Sequence, residues 1–252
     1  MIEVYGADSP RSGYYSQRIE KVLRRWLALP YYLYCLRLAA LYYFFTSPTI
    51  ERHCLTTEWQ AAQSYYRLED KQRFLTARLL CREIAAPHIN HPAQHLSIHK
   101  NKQGAPFLTL NAYQHQPLLP NISISHSGDY VAIALAWHIA LGIDLEYETH
   151  CDFAQFNEIA LQPHEYCKLT AYSRTQFWTA KEAASKAWGT GLQINPLAIQ
   201  VCPLSEHRFT AYTASYPIAF GRWLQTNTAT IALALVMLEE QQNISAQEWH
   251  FY

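Results

Sequence analysis

The chain has 252 residues, half of them apolar and only 16% charged, with 20 Lys+Arg against 20 Asp+Glu and no formal net charge. That composition excludes a disordered chain and a broad basic nucleic-acid surface, so any polyanion bound here must be small and held by a few placed cations. The length allows one large domain or two of roughly 100–150 residues.

Residues 17–29 predict a short basic helix. From Trp26 to Phe45 the chain is almost entirely apolar or aromatic, behind Lys21, Arg24 and Arg25. A membrane anchor would look similar, but Pro30 and Arg37 interrupt the run and five of its residues are Tyr. It is read as a buried strand near Leu33–Leu38 followed by an adhesive connection, with no transmembrane span. Thr57–Tyr66 predicts a helix with Glu58 in its first turn, and Asp70–Ala86 a long helix that Pro87 stops. A His- and Asn-rich connection runs from His88 to His99, and Asn101–Pro106 reads as a loop. Asn121–Ser125 and Tyr130–Trp137 form a hairpin across Ser127-Gly128-Asp129, and Leu141–Glu146 is a strand. Helices follow at Phe153–Leu161, Pro163–Ala171 and Gln176–Trp188, the last ended by Gly189-Thr190-Gly191. Leu197–Val201, Phe209–Ala214, Ala219–Gln225 and Thr228–Leu238 are antiparallel strands. Helices and strands come in blocks, so the class is α+β. The six cysteines form no C-x-x-C pair and read as reduced thiols, which points to the cytoplasm.

Two short echoes suggest a repeat. Phe74-Leu-Thr-Ala-Arg78 resembles Phe177-Trp-Thr-Ala-Lys181, 103 positions on, and Ile133-Ala-Leu-Ala136 matches Ile231-Ala-Leu-Ala234, 98 positions on.

Three segments carry chemistry. In Gly142-Ile-Asp144-Leu-Glu146 the two carboxylates share one face of a strand, where a hard cation such as Mg²⁺ would satisfy both. In Trp178-Thr-Ala-Lys181-Glu182-Ala-Ala-Ser-Lys186, Glu182 and Lys186 share a helix face. They read either as a surface ion pair or as a third metal carboxylate beside cations for a diphosphate. Ser125-His126-Ser127 sits where a strand meets a turn, able to cradle a phosphate or a purine edge.

Taken together, in this order and spacing, the three segments resemble the 4'-phosphopantetheinyl transferase superfamily, whose pattern is an S-H-S strand, then G-x-D-x-E, then W-x-x-K-E-x-x-x-K. Leu55–Arg82, with Asp70-Lys-Gln-Arg73-Phe74 at its centre, is similar to the family's N-terminal helical region, and the resemblance covers roughly Leu33–Leu238. It implies the long single-chain form: two pseudo-twofold-related subdomains, 31–138 and 139–252, after an extension at 1–30. Each would be a long helix on an antiparallel sheet, with one active site at the junction. Leu79 falls where the second half has Glu182, so the first half would lack a metal ligand.

The resemblance also implies a reaction: transfer of the phosphopantetheine arm of coenzyme A to a serine of an apo acyl or peptidyl carrier protein, by a monomer. Asp144, Glu146 and Glu182 would hold Mg²⁺, or Mn²⁺ in its place. Glu182 would accept the serine proton, and Lys186 and Lys181 would stabilise the diphosphate. Ser125 and His126 would contact the 3'-phosphate and adenosine end, with Arg73 as a further phosphate cation. Where the family carries G-K-P, this chain has Gly104-Ala105-Pro106, and Lys100 or Lys102 would supply the missing charge. The turn Lys21–Arg25 and the aromatic run after it are a candidate contact for an acidic carrier, although a solvated helix with a buried strand behind it is the plainer reading. Another metal-dependent phosphotransferase or phosphohydrolase, or a non-catalytic carrier-binding homologue, remains as an alternative.

Overall fold

A computed structural model describes residues 31–37, 54–111, 117–151 and 155–236. The helix expected at 17–29, the basic turn at 21–25 and the aromatic run at 41–45 lie outside these residues.

The first half runs β1 (Tyr31–Arg37), α1 (Thr56–Ala62), α2 (Leu68–Ile89), β2 (Leu96–Lys100), β3 (Pro106–Leu110), β4 (Asn121–Ser127) and β5 (Tyr130–Ala136). The second runs β6 (Ala140–Tyr147), α3 (Phe156–Ala160), α4 (Pro163–Tyr166), α5 (Arg174–Ala187), β7 (Gln200–Ser205), β8 (Arg208–Tyr212), β9 (Ala219–Gln225) and β10 (Ala229–Val236). Each half forms a five-stranded antiparallel sheet, ordered β1-β5-β4-β3-β2 and β6-β10-β9-β8-β7. Replace each strand number of the first by that number plus five and the second results: the two sheets have the same connectivity, with the long helix inserted after the first strand of each.

Three apolar layers hold these elements. Ala77, Leu80, Cys81 and Ala85 of α2 pack on Val131, Ile133 and Leu135. Ala132, Ala134 and Ala136 join Leu33 and Cys35 in facing Ile143, Leu145, Ile231 and Leu233 across the two sheets. Phe177, Ala180, Ala183, Ala184 and Ala187 of α5 pack on Ala232, Ala234 and Trp223. The order is therefore helix, sheet, sheet, helix, and small residues at the interfaces allow close approach.

The helix echo survives this test, because Ala77 and Ala180 both face their own sheet. The strand echo does not. Ile133 and Leu135 face the helix, whereas Ile231 and Leu233 face the opposite sheet. A slip of one residue exchanges the faces of a strand, so the matching letters of β5 and β10 do different work.

Several elements differ from expectation. The long helix passes through Pro87 and stops only at Asn90, which is left-handed at φ 58°. A proline in the last turn removes one amide from a ladder that is already ending, so the helix tolerates it. β2 falls in a segment expected to be a connection, and β3 starts at the last residue of the expected loop and runs on through residues 107–110, for which no element was expected. Histidine and asparagine obscured the first, and the second opens on Pro106, where a strand does not need an amide donor. The run at 31–37 is a strand antiparallel to β5, and no helix among the described residues is long and apolar enough to cross a membrane. All six cysteines are free thiols.

Candidate active site

The site grows from one packing decision. A side chain on Gly142 would collide with the backbone of Ala183 and Ala187, so glycine lets α5 lie directly on β6. The capping box that starts α5 pairs the Ser173 hydroxyl with the Gln176 amide at 3.1 Å, and the Gln176 carboxamide with the Ser173 amide at 2.8 Å. That fixes the helix phase, and its last turn brings Lys186 to Asp144 at 2.6 Å.

Asp144 is buried. Its Oδ1 also accepts from the Ser125 hydroxyl at 2.9 Å, while Oδ2 is buried with no hydrogen-bond partner. Lys186 further donates to the Ile143 carbonyl at 3.1 Å. β6 is an edge strand, and the serines of β4 cover that edge: Ser123 accepts from the Ile143 amide at 3.0 Å and Ser125 from the Leu145 amide at 3.2 Å. Two residues on, Ser127 donates to Glu146 Oε2 at 2.7 Å, and His150 Nδ1 lies 2.8 Å from the same oxygen.

A cleft of about 570 Å³ opens between the halves. Arg78, Lys100, the 103–106 loop and Ser123–His126 line it from the first half; Glu182, Lys186, Thr190 and Gly191 line it from the second. Burial, then Asp144 and Glu146, push the Glu182 carboxyl up to about 7 against the opposing pull of Lys186. Burial, then the Arg73 charge, lowers the His126 imidazole below its ordinary value, with Lys186 adding to the effect.

Glu182, Lys186, Asp144, Ser125, His126 and Lys100 therefore converge, and Glu146 and Arg73 act on this group electrostatically. One residue lies away from its expected place. Lys181 is 1% exposed; it pairs with buried Glu165 at 2.6 Å and donates to the Ala160 and Pro196 carbonyls. It is a structural cation, because the helix turn that aims Glu182 at the cleft turns its neighbour into the core. Ser125 lines the cleft, and its hydroxyl bonds Asp144, the Leu145 amide and the Lys186 ammonium. Arg73 pairs with Asp70 at 2.6 Å. Of the two lysines proposed to replace the family's loop lysine, Lys100 lines the cleft.

Arg78 also lines the cleft, although none of the three motif segments contains it. Its guanidinium lies 4.7 Å above the Phe74 ring and donates to the Ile98 carbonyl at 2.7 Å. Its place in the helix echo opposite Lys181 was the one available signal. His150 had none.

Among the described residues, no three His, Cys, Asp or Glu side chains are gathered closely enough to form a ready metal cluster. The donors nevertheless fit a hard cation: a buried carboxylate oxygen lacks a partner, and Glu182 is pushed up by burial and then by two neighbouring carboxylates, whose repulsion a cation would relieve.

Comparison with known proteins agrees with this architecture half by half. Residues 49–138 match a family model described as 4'-phosphopantetheinyl transferase, N-terminal, and residues 140–236 match one described as the 4'-phosphopantetheinyl transferase superfamily. The chain belongs to the 4'-phosphopantetheinyl transferase superfamily. It is 32% identical over 145 residues to a Synechocystis sp. protein assigned as a 4'-phosphopantetheinyl transferase, covering 54% of this chain and 56% of that one. It is 28% identical over 190 residues to the L-aminoadipate-semialdehyde dehydrogenase-phosphopantetheinyl transferase of Rattus norvegicus, covering 59% and 57%. With the 4'-phosphopantetheinyl transferase HetI of Nostoc sp. it shares 27% over 155 residues, covering 58% and 64%. The chain thus spans little more than half the length of the relatives it matches.

Proposed function

We propose that this protein transfers the 4'-phosphopantetheine arm of coenzyme A to a serine hydroxyl of an apo carrier protein, in the cytoplasm and as a monomer. The observation that carries the reading is the convergence of Asp144, Glu182 and Lys186 beside a cleft lined by Arg78, Lys100 and His126. Acids at one end and cations along the wall suit a diphosphate joined to a further phosphate.

The serine oxygen forms a bond to the β-phosphorus, and the bond from that phosphorus to the bridging oxygen breaks. Adenosine 3',5'-bisphosphate leaves with that oxygen. Glu182, in the cleft, accepts the serine proton. Lys186 neutralises charge growing on the departing phosphate, and Asp144 and Ser125 hold its ammonium in place. Lys100 and Arg73 hold the 3'-phosphate end beside His126. Asp144, Glu146 and Glu182 would hold Mg²⁺, or Mn²⁺ in its place, which would supply charge neutralisation and orientation of the diphosphate.

Incubation with coenzyme A, Mg²⁺ and a panel of apo carrier proteins, followed by intact-mass measurement, tests this. One phosphopantetheine added to a carrier is the expected result. Phosphate release with unmodified carriers would instead point to a phosphohydrolase, and neither product to a non-catalytic homologue.

A further inference from the structure

Glu146 is held by more than its strand. After β6 the chain turns through a short 3-10 segment, Glu148–Cys151, which folds His150 back over the strand end. His150 Nδ1 then lies 2.8 Å from Glu146 Oε2 and 3.1 Å from the Ser127 hydroxyl, which itself donates to Oε2 at 2.7 Å. A carboxylate only accepts, so Nδ1 carries the proton. The His150 ring stacks on Tyr147 with centroids 5.7 Å apart. The Tyr147 hydroxyl in turn accepts from the Asp129 amide at 3.3 Å, and its ring covers Gly128, where no side chain would fit. The imidazole is thus set from two sides, by a ring stack anchored to the β4–β5 turn and by a carboxylate–hydroxyl pair.

Both contacts on Glu146 converge on Oε2 and leave Oε1 out of the network. A rotatable glutamate at a strand end would otherwise sample several rotamers, and two donors on one oxygen select among them. We propose that His150, together with Ser127, is a positioning residue that fixes Glu146 so that its second oxygen faces a divalent cation shared with Asp144 and Glu182. This rests on the proposed cation site. It assigns a role to a residue outside the S-H-S, G-x-D-x-E and K-E-x-x-x-K segments.

The test is Mn²⁺ binding, followed by electron paramagnetic resonance of the free ion in the full chain, with and without coenzyme A. His150→Phe keeps an aromatic ring on Tyr147 and removes the donor; His150→Asn keeps a donor near the Nδ1 position; His150→Ala removes both. The Ala and Phe variants should weaken Mn²⁺ binding about tenfold or more, with Asn within about threefold of the parent. The steady-state cost should appear in the Mn²⁺ concentration for half-maximal transfer more than in the Michaelis constant for coenzyme A. Equal Mn²⁺ binding by all variants, or no Mn²⁺ binding by the parent with coenzyme A present, would overturn the proposal. If Asn and Phe are equally impaired, the ring's shape rather than its donor matters, and the proposal also fails. Carrier modification by the parent, measured separately, decides the proposed activity whatever the variants show.

Discussion

The two halves share one connectivity and differ in what their long helices present. In each, a short helix places a glutamate at its third position. That glutamate accepts from the amide at the helix start: Leu55 N–H to Glu58 at 3.0 Å, Gln162 N–H to Glu165 at 2.8 Å. Each glutamate is buried and paired with a cation of the following long helix, Arg82 at 3.0 Å and Lys181 at 2.6 Å. By the helix echo the counterpart of Lys181 is Arg78, so the first half makes its pair one turn later. That shift leaves Arg78 on the wall of the cleft. The chemistry diverges at the next positions. Glu182 and Lys186 correspond to Leu79, which is buried, and Glu83, and no residue of β1 is acidic. One scaffold thus carries an acid and a lysine into the cleft from the long helix of one half and an arginine from that of the other. The lesson is that two halves of one connectivity share a structural ion pair but not the acid cluster.

The comparison breaks hardest at Glu182. Glu182→Gln should lower carrier modification by about 10²- to 10⁴-fold while circular dichroism stays native. The mirror change, Leu79→Glu, should add no second Mn²⁺ site and should destabilise the fold by several kcal/mol (~3), since it buries a carboxylate without a cation. A second bound Mn²⁺ in Leu79→Glu would show the halves to be chemically equivalent.

Gly142→Ala comes next. Its methyl meets backbone, which cannot rotate away. Urea unfolding should show a loss of about 1–3 kcal/mol, and turnover should drop by about 10² as Lys186 and Glu182 shift from β6. Normal turnover would mean that α5 can lift without harm.

Lys181→Met separates the structural cation from a diphosphate ligand. It strands the Glu165 carboxylate in the core and should cost about 3–5 kcal/mol in unfolding, partly recovered in Lys181→Met/Glu165→Leu. At low temperature the Michaelis constant for coenzyme A should hold; a rise in that constant would restore Lys181 to the site.

Lys100→Ala should raise the Michaelis constant for coenzyme A about tenfold, the loss of one charge-assisted contact, with turnover little changed. An unchanged constant would remove Lys100 as the replacement for the family's loop lysine.

The smallest effect is on pH. The folded His126 titrates below its ordinary 6.5, so the unfolded chain binds that proton first. Its contribution to stability is complete above about pH 6.5 and fades as pH falls through the folded value. Histidine ring NMR should place the His126 midpoint below 6.5, and Arg73→Ala should move it upward. A midpoint above 6.5 would show that burial and Arg73 do not govern this ring.

By itself the sequence determined the elements whose signals are local. The hairpin at Tyr130, the strand carrying Asp144 and Glu146, and the helix carrying Glu182 and Lys186 all follow from period and spacing over a few residues. Residue type and order were enough to bring the acids and lysines together as a candidate group. Only the tertiary structure decided which lysine enters the site, because Lys181 and Lys186 look alike in sequence and differ in whether a core glutamate is waiting for them. It alone showed that Ser125 closes a strand edge, that the strand echo falls on opposite faces, and that Gly142 is where a helix backbone passes. His150 joined Glu146 only through the turn after β6. The physical reason is common to all of these. Each depends on a partner distant in the chain or on a backbone direction, and neither is encoded in the identity of the residue that responds to it.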